Sequence, residues 1–194
     1  MKLNHRPLLA ILLIIILMIL SNVFFIQIDF TNDKRYSLSK TSLNEIKKID
    51  EPLIIDIFLT GNLPKAYLPF RNELDVILNH LKYYNNKIIL KYSDPLEYGD
   101  SESINEDMQR FGLAPEIVVQ KKNGNREENI IFPWLIFNYK GKSEKVRLLK
   151  KQLGNTQNEN IYHSMQLLEN IVMDGIYRVS LINKKNIAFL SSHG

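Results

Sequence analysis

Side chains able to do chemistry are sparse and scattered in this chain of 194 residues. It has no cysteine, which removes thiol nucleophiles, thiolate metal ligands and any disulfide framework. His5, His80, His163 and His193 stand far apart, and no two share the i, i+3 or i, i+4 spacing that aims a pair of imidazoles at one metal ion. His80 and His163 lie beside apolar helical stripes and read as surface or packing residues. No G-x-x-x-x-G-K-[ST] loop is present to cradle phosphates, so no nucleotide is expected on this chain. Asp94 ends a predicted strand, where α/β proteins often place functional groups, but it directly precedes Pro95 and reads more simply as a turn or helix cap. Residues 140–151 hold Lys140, Lys142, Lys145, Arg147, Lys150 and Lys151 against one acid, Glu144. Such a run suits anionic head groups or an acidic partner, or, as the simpler reading, a lysine-blunted sheet edge. Ser191-Ser-His-Gly194 follows an apolar stretch and reads as a strand-to-helix turn. No catalytic, cofactor-binding or metal-binding residue is assigned, and no cofactor is expected.

The elements that would position these groups begin with an apolar run. From Leu8 to Ile26 the only polar side chains are Ser21 and Asn22. About 20 helical residues cross the hydrocarbon core of a bilayer, and a lipid-spanning segment must satisfy its backbone internally. Residues 8–28 are therefore expected to be a transmembrane helix. Residues 1–7 carry Lys2, His5 and Arg6 without an acid, whereas Asp29, Asp33, Lys34 and Arg35 nearly cancel on the other flank. This asymmetry places residues 1–7 in the cytoplasm and the body outside, in a single pass through the inner membrane. The run is longer than a signal-peptide core and lacks a small-x-small cleavage site, so an uncleaved anchor is expected. The net charge of +4 is mild and the cations are scattered, which argues against nucleic acid as a partner.

Beyond the anchor, residues 29–52 read as a juxtamembrane segment and helix. Ser39 or Ser42 can cap it, Ser42 forms a capping-box pattern with Glu45, and Leu43, Ile46 and Ile49 share a face. Pro52 bounds it. Residues 53–150 read as an α/β domain. Leu53–Leu59 is a near-continuous apolar strand that suggests a sheet covered on both faces. Residues 69–84 place Phe70, Leu74, Ile77, Leu78 and Leu81 on one helical stripe. Lys87–Ser93 is a second strand, parallel to the first. Ser103–Phe111 is a short helix with Ile104, Met108 and Phe111 inward and Gly112 at its C-terminal cap. An antiparallel meander follows: Glu116–Lys121, a turn at Asn123-Gly124, a strand over Glu128–Tyr139 interrupted by Pro133, a turn at Lys140-Gly141, and Lys145–Leu149. From Asn158 to about Ser180 a long helix carries Ile161, Met165, Leu168, Val172, Ile176 and Val179. A strand at Ile187–Leu190 would then need partners, so residues 158–194 are expected to open a second α/β domain that continues beyond this chain.

The order of elements in residues 53–150, β-α-β-α-β-β-β, resembles thioredoxin. The resemblance implies a sandwich in which a proline faces the redox loop; Pro115 is the first candidate for that proline and Pro133 the second, each either cis or an ordinary turn residue. The matching loop reads Thr60-Gly-Asn-Leu-Pro-Lys65 and holds no sulfur, so the scaffold would lack thiol exchange.

Several segments together resemble the GldG-like gliding-motility proteins. They are the apolar span, Asp29-Phe-Thr-Asn-Asp-Lys-Arg-Tyr-Ser-Leu-Ser39, the strand after Glu51-Pro52, Tyr92-Ser-Asp-Pro95, and Asn186-Ile-Ala-Phe-Leu-Ser-Ser-His-Gly194. Ser192 departs from the Gly-His-Gly usual in that family. The resemblance implies a non-enzymatic, substrate-binding-type auxiliary subunit of an ABC transporter, working with separate permease and ATPase subunits, with a larger domain and a second membrane span further on. An enzyme whose site lies beyond this chain, near His193, and an envelope scaffold are the alternatives.

Overall fold

The computed structural model describes residues 38–122 and 125–181 together with Leu13. Apart from Leu13, the anchor expected over 8–28 lies outside the described residues, as do His5, the strand expected over Ile187–Leu190, and His193. No helix among the described residues is long and apolar enough to cross a membrane. The fold lies in the compact unit Leu38–Gly194.

It is a mixed α/β structure. The elements are α1 (Lys40–Lys47), β1 (Leu53–Ile57), α2 (Leu68–Tyr84), β2 (Ile88–Tyr92), α3 (Ser101–Arg110), β3 (Glu116–Lys122), β4 (Asn125–Ile131), β5 (Trp134–Tyr139), β6 (Lys142–Arg147), α4 (Gln157–Gln166) and α5 (Leu168–Ser180). Four strands form a sheet in the order β2-β1-β5-β6, and β3 and β4 form a separate two-stranded sheet. β2 runs parallel to β1 from Leu53↔Ile88 to Ile57↔Tyr92. β5 is antiparallel to β1, with Ile55 opposite Phe137 and Ile57 opposite Leu135.

Period-2 alternation sorts this sheet into one dry and one wetter face. Leu53, Ile55, Ile57, Leu135 and Phe137 have no solvent exposure at all. They meet the stripe of α2, where Phe70, Leu74, Ile77, Leu78 and Leu81 are buried as the spacing predicts. Ile54, Asp56, Trp134, Ile136 and Asn138 turn to the other face and stay partly exposed. The expected cover on both faces is therefore corrected. α3 accounts for the difference: Asp100 caps it through the Glu102 and Ser103 amides, yet the helix buries no residue. Ile104 and Met108 are only half-buried, and Phe111, expected inward, is 67 % exposed.

Three further expectations need correction. First, Glu128–Tyr139 is two strands in different sheets rather than one strand of a meander. Pro133 has no N–H to continue the ladder, and its carbonyl instead accepts the Leu148 N–H at 2.8 Å. Second, the long helix from Asn158 to Ser180 is two helices. The Thr156–Glu159 capping box starts α4, and Leu167 (φ −95°, ψ 0°) separates it from α5. Both helices pack Ile161, Leu168, Val172, Ile176 and Val179 into the same core as the sheet. Third, the Ser42–Glu45 capping box does not start α1: of the two caps expected, Ser39 and Ser42, it is Ser39 that caps the helix. Ser39 Oγ accepts the Ser42 N–H at 3.1 Å. Ser42 is buried and donates at 2.5 Å to Glu169, whose carboxylate also accepts the Ser39 N–H. Glu169, from α5, thus places a negative charge at the N-terminus of α1, where the helix dipole favours it. At the other end of α1, Asn85 donates to the Ile46 and Ile49 carbonyls, both at 2.9 Å.

The β5–β6 hairpin turns on Lys140 (φ 48°) and Gly141 (φ 73°), the two positive φ values of a type I′ turn. β6 consequently begins at Lys142, earlier than expected.

α5 lies very close to the sheet. A Cβ added at Gly175 would stand 2.3 Å from Phe137 Cε2. Alanine has a helix propensity about 1 kcal/mol better than glycine, but overpacking a rigid core costs about 1–3 kcal/mol. Gly175→Ala is therefore expected to lower the urea midpoint, with partial recovery when Phe137→Leu is added. A raised midpoint in the single variant would refute the close-contact account.

Candidate functional site

A concavity among the described residues lies at the foot of the β3–β4 hairpin. It is an open pocket of about 530 Å³ between the start of β3 and the segment that leads into α4. Glu116, Ile117, Lys151, Gln152, Leu153 and Gln157 are among its lining residues. Three elements converge there for local reasons. Gly112 (φ +76°) ends the α3 segment with a left-handed residue and releases the chain into β3. β6 ends at Arg147, and Leu148 and Leu149 then bury their side chains and carry Lys151 past Glu116. Gln152 is held to α4 by its N–H, which donates to Asn160 Oδ1 at 2.9 Å.

Glu116 is the pocket's buried charge, its side chain only 10 % exposed. Arg147 Nη2 meets one of its oxygens at 3.0 Å and Lys151 Nζ the other at 2.9 Å. Two cations on one carboxylate satisfy the acid and leave a local excess of positive charge. Arg147 also lies over the Trp134 ring, 5.7 Å from its centroid. Tyr67, fully buried, accepts a hydrogen bond from Gln157 Nε2 at 3.1 Å. Burial raises the Tyr67 pKa above the usual phenol value; the Glu116 charge adds to the rise, while the Gln157 hydrogen bond and Arg147 oppose it. The site is a paired polar cluster with apolar rims at Ile117 and Leu153, suited to binding.

The residues singled out in the sequence fall elsewhere or into supporting roles. Asp94 is a cap: its Oδ1 accepts the Leu96 N–H at 3.0 Å, and its carboxylate lies against Gly61 (φ +81°), where any Cβ would collide with it. His163 Nε2 is within 2.9 Å of Gln152 Nε2, and His80 is half-buried. Among the described residues no group of His, Cys, Asp or Glu is arranged to hold a metal ion. No described peptide bond is cis, so Pro115 and Pro133 are both trans. Pro133 directly precedes β5, the strand that pairs antiparallel with β1.

The basic stretch is largely engaged. Lys140 pairs with Asp50 at 2.8 Å and with Glu51 at 3.5 Å. Lys142 donates to the Leu181 carbonyl and Lys145 to that of Phe111. Glu144 pairs with Arg178 of α5 at 3.0 Å. Because β6 is an edge strand, this agrees with the sheet-edge reading. Sequence reasoning missed Glu116, Tyr67 and Gln157. The one legible signal was an acid opening a predicted apolar strand, and its partners are 31 and 35 residues away.

A family model described as a domain of unknown function, DUF7088, matches residues 32–138. The chain belongs to the DUF7088 family. No curated protein and no solved structure matches it. The DUF7088 match takes in Glu116 and ends inside β5, so Arg147, Lys151 and both C-terminal helices, which complete the pocket and the core, lie beyond it.

Two outcomes follow from these charges. Arg147→Met leaves Glu116 with one cation in a mostly desolvated position. Loss of a buried partner costs about 3–5 kcal/mol, and the partial exposure of Arg147 reduces this to roughly 1–3 kcal/mol. Urea denaturation of Arg147→Met beside Arg147→Met/Glu116→Gln checks it, with the double variant expected to regain much of the loss; equal midpoints would contradict the pairing. At the other end of the sheet the Lys140 hydrogen bond, with that of Tyr139, holds the Asp50 pKa at about 2, below its ordinary 3.8. A depressed acid stabilises the fold above its unfolded pKa, and that stability is lost as pH falls from about 4 toward 2. Asp50→Asn should flatten this part of the stability–pH curve; an unchanged slope would show that the pair is inert.

Proposed function

We propose that this chain is a membrane-anchored, non-enzymatic extracytoplasmic subunit of an ABC transporter complex associated with gliding motility. The observation that carries the reading is the apolar run Leu8–Ile26 behind a basic leader, followed at once by the Asp29–Ser39 segment that resembles the GldG-like proteins. The DUF7088 match begins at residue 32, directly after that run.

The domain's topology supports a thioredoxin-like scaffold: β1-α2-β2-α3, then β5-β6 returning antiparallel beside β1, with β3–β4 as an added hairpin. The loop after β1, where thioredoxins carry their cysteines, is Thr60–Lys65, and a chain without sulfur there cannot exchange thiols. Its Gly61 is instead locked against Asp94. A redox scaffold stripped of its chemistry is suited to binding. In this reading the anchor contacts the permease, the ATPase is a separate chain, and the α/β body stands on the periplasmic side of the inner membrane.

Affinity capture of the tagged chain from solubilised membranes should recover a permease and an ATPase. A protease added to intact spheroplasts should remove the body and spare a tag at the N-terminus. Recovery of envelope scaffold proteins alone, or protection of the body, would overturn the proposal.

A further inference from the structure

We infer that the outer edge of β3 is a docking edge for an extended segment of a partner chain in which apolar and acidic residues alternate. The hairpin register supplies the geometry. Lys122 pairs with Asn125, two residues separating them in sequence, and the ladder continues to Glu116↔Ile131. A two-residue loop is closed by a pair that exchanges both backbone hydrogen bonds, and such pairs recur at every second residue. Glu116, Val118 and Gln120 therefore bond to β4, whereas Ile117 and Val119 direct their N–H and C=O groups away from it. Among the described residues no strand pairs on that side, and the sheet they form there is β3 and β4 alone.

Proteins ordinarily blunt a long strand edge with lysines, proline, a bulge or a covering element, and β3 carries lysines only at its hairpin end, Lys121 and Lys122. β3 is seven residues long, contains no proline and pairs without a bulge. Its side chains at Ile117 and Val119 are 56 % and 41 % exposed. Beside the start of this edge is the open pocket of about 530 Å³, with Lys151 and Leu153 among its lining residues. Added strands obtain affinity from main-chain hydrogen bonds and specificity from pockets for alternate side chains.

The two faces of the hairpin differ in chemistry, and this selects the occupant. One face carries the exposed Ile117 and Val119, and Leu153 stands fully in solvent nearby. The other begins at Glu116, where Arg147 and Lys151 together outweigh the single carboxylate. Val118 closes the rest of that face by burial, so a strand added at this edge would lay apolar side chains beside Ile117 and Val119 and an acidic one beside Arg147 and Lys151 at the Glu116 end. The inference rests on this edge and does not depend on the transporter reading.

The test uses the whole chain in detergent micelles and two short synthetic peptides, one alternating valine with glutamate and one alternating valine with lysine. The glutamate peptide is expected to bind about tenfold more tightly by fluorescence anisotropy, the scale of one well-placed charge interaction. Hydrogen exchange should slow at the Ile117 and Val119 amides on binding. Val119→Pro, which removes one outward N–H, should abolish binding, and Lys151→Gln should erase the preference between peptides. Equal affinity for both peptides, protection confined to β4, or protection of Ile117 and Val119 by self-association without peptide would each overturn the inference. Should Val119→Pro fail to fold, the exchange pattern and Lys151→Gln still decide it.

Discussion

The structure depends on burying one face of one sheet. Leu53, Ile55 and Ile57 of β1 and Leu135 and Phe137 of β5 form a strip with no access to water, and each such side chain contributes about 1.5–3 kcal/mol when fully buried. The rest of the fold is arranged to cover that strip. α2 covers it with a conventional amphipathic stripe. α5 covers it by close approach, with Gly175 against the Phe137 ring. The other face of the sheet receives no comparable cover, since α3 buries none of its residues. Ile54 and Ile136 stay half-exposed there, and Asp56 and Asn138 bond to each other across the strands at 2.7 Å.

That one-sided burial explains why the charged groups cluster at the margins. Three sets of charged groups join one element to another. Asp50, Tyr139 and Lys140 join the start of β1 to the β5–β6 turn. Arg178 and Glu144 join α5 to β6. Glu116, Arg147 and Lys151 join the hairpin to the segment leading into α4. Exposed pairs contribute little to stability, which applies to Lys140 with Asp50. The Glu116 cluster differs because its carboxylate is mostly desolvated, and it sits at the start of β3, outside the main sheet. The same cluster anchors the hairpin and gives its surroundings their positive character.

Much of the fold was legible in the chain. The stripe over residues 69–84, the paired strands at Leu53 and Ile88, the turn at Lys140-Gly141 and the apolar pattern from Ile161 to Val179 all follow from periodicity and turn chemistry, which are local. The errors share one cause. A strand pattern reports alternation but not partners, so Glu128–Tyr139 read as one strand although Pro133 sends its halves to different sheets. An amphipathic pattern in Ser103–Phe111 reports a preferred face but not a surface to receive it. Cover on both faces of β1 was read from apolarity that the alternation of buried and half-buried residues does not require.

The candidate site was the least legible part. Lys140, Arg147 and Lys151 stood out as one basic run because they are neighbours in sequence, yet they divide among different acids at opposite ends of the sheet. By itself the sequence determined which segments are helical or extended, the absence of thiol and phosphate-loop chemistry, and the apolar run near its start, since each depends on composition or on spacing within a few residues. The tertiary structure decided which strand pairs with which, which face is dry, and which carboxylate meets which cation. Those are matters of distance between residues tens of positions apart, and no local pattern encodes the distance until the core has closed.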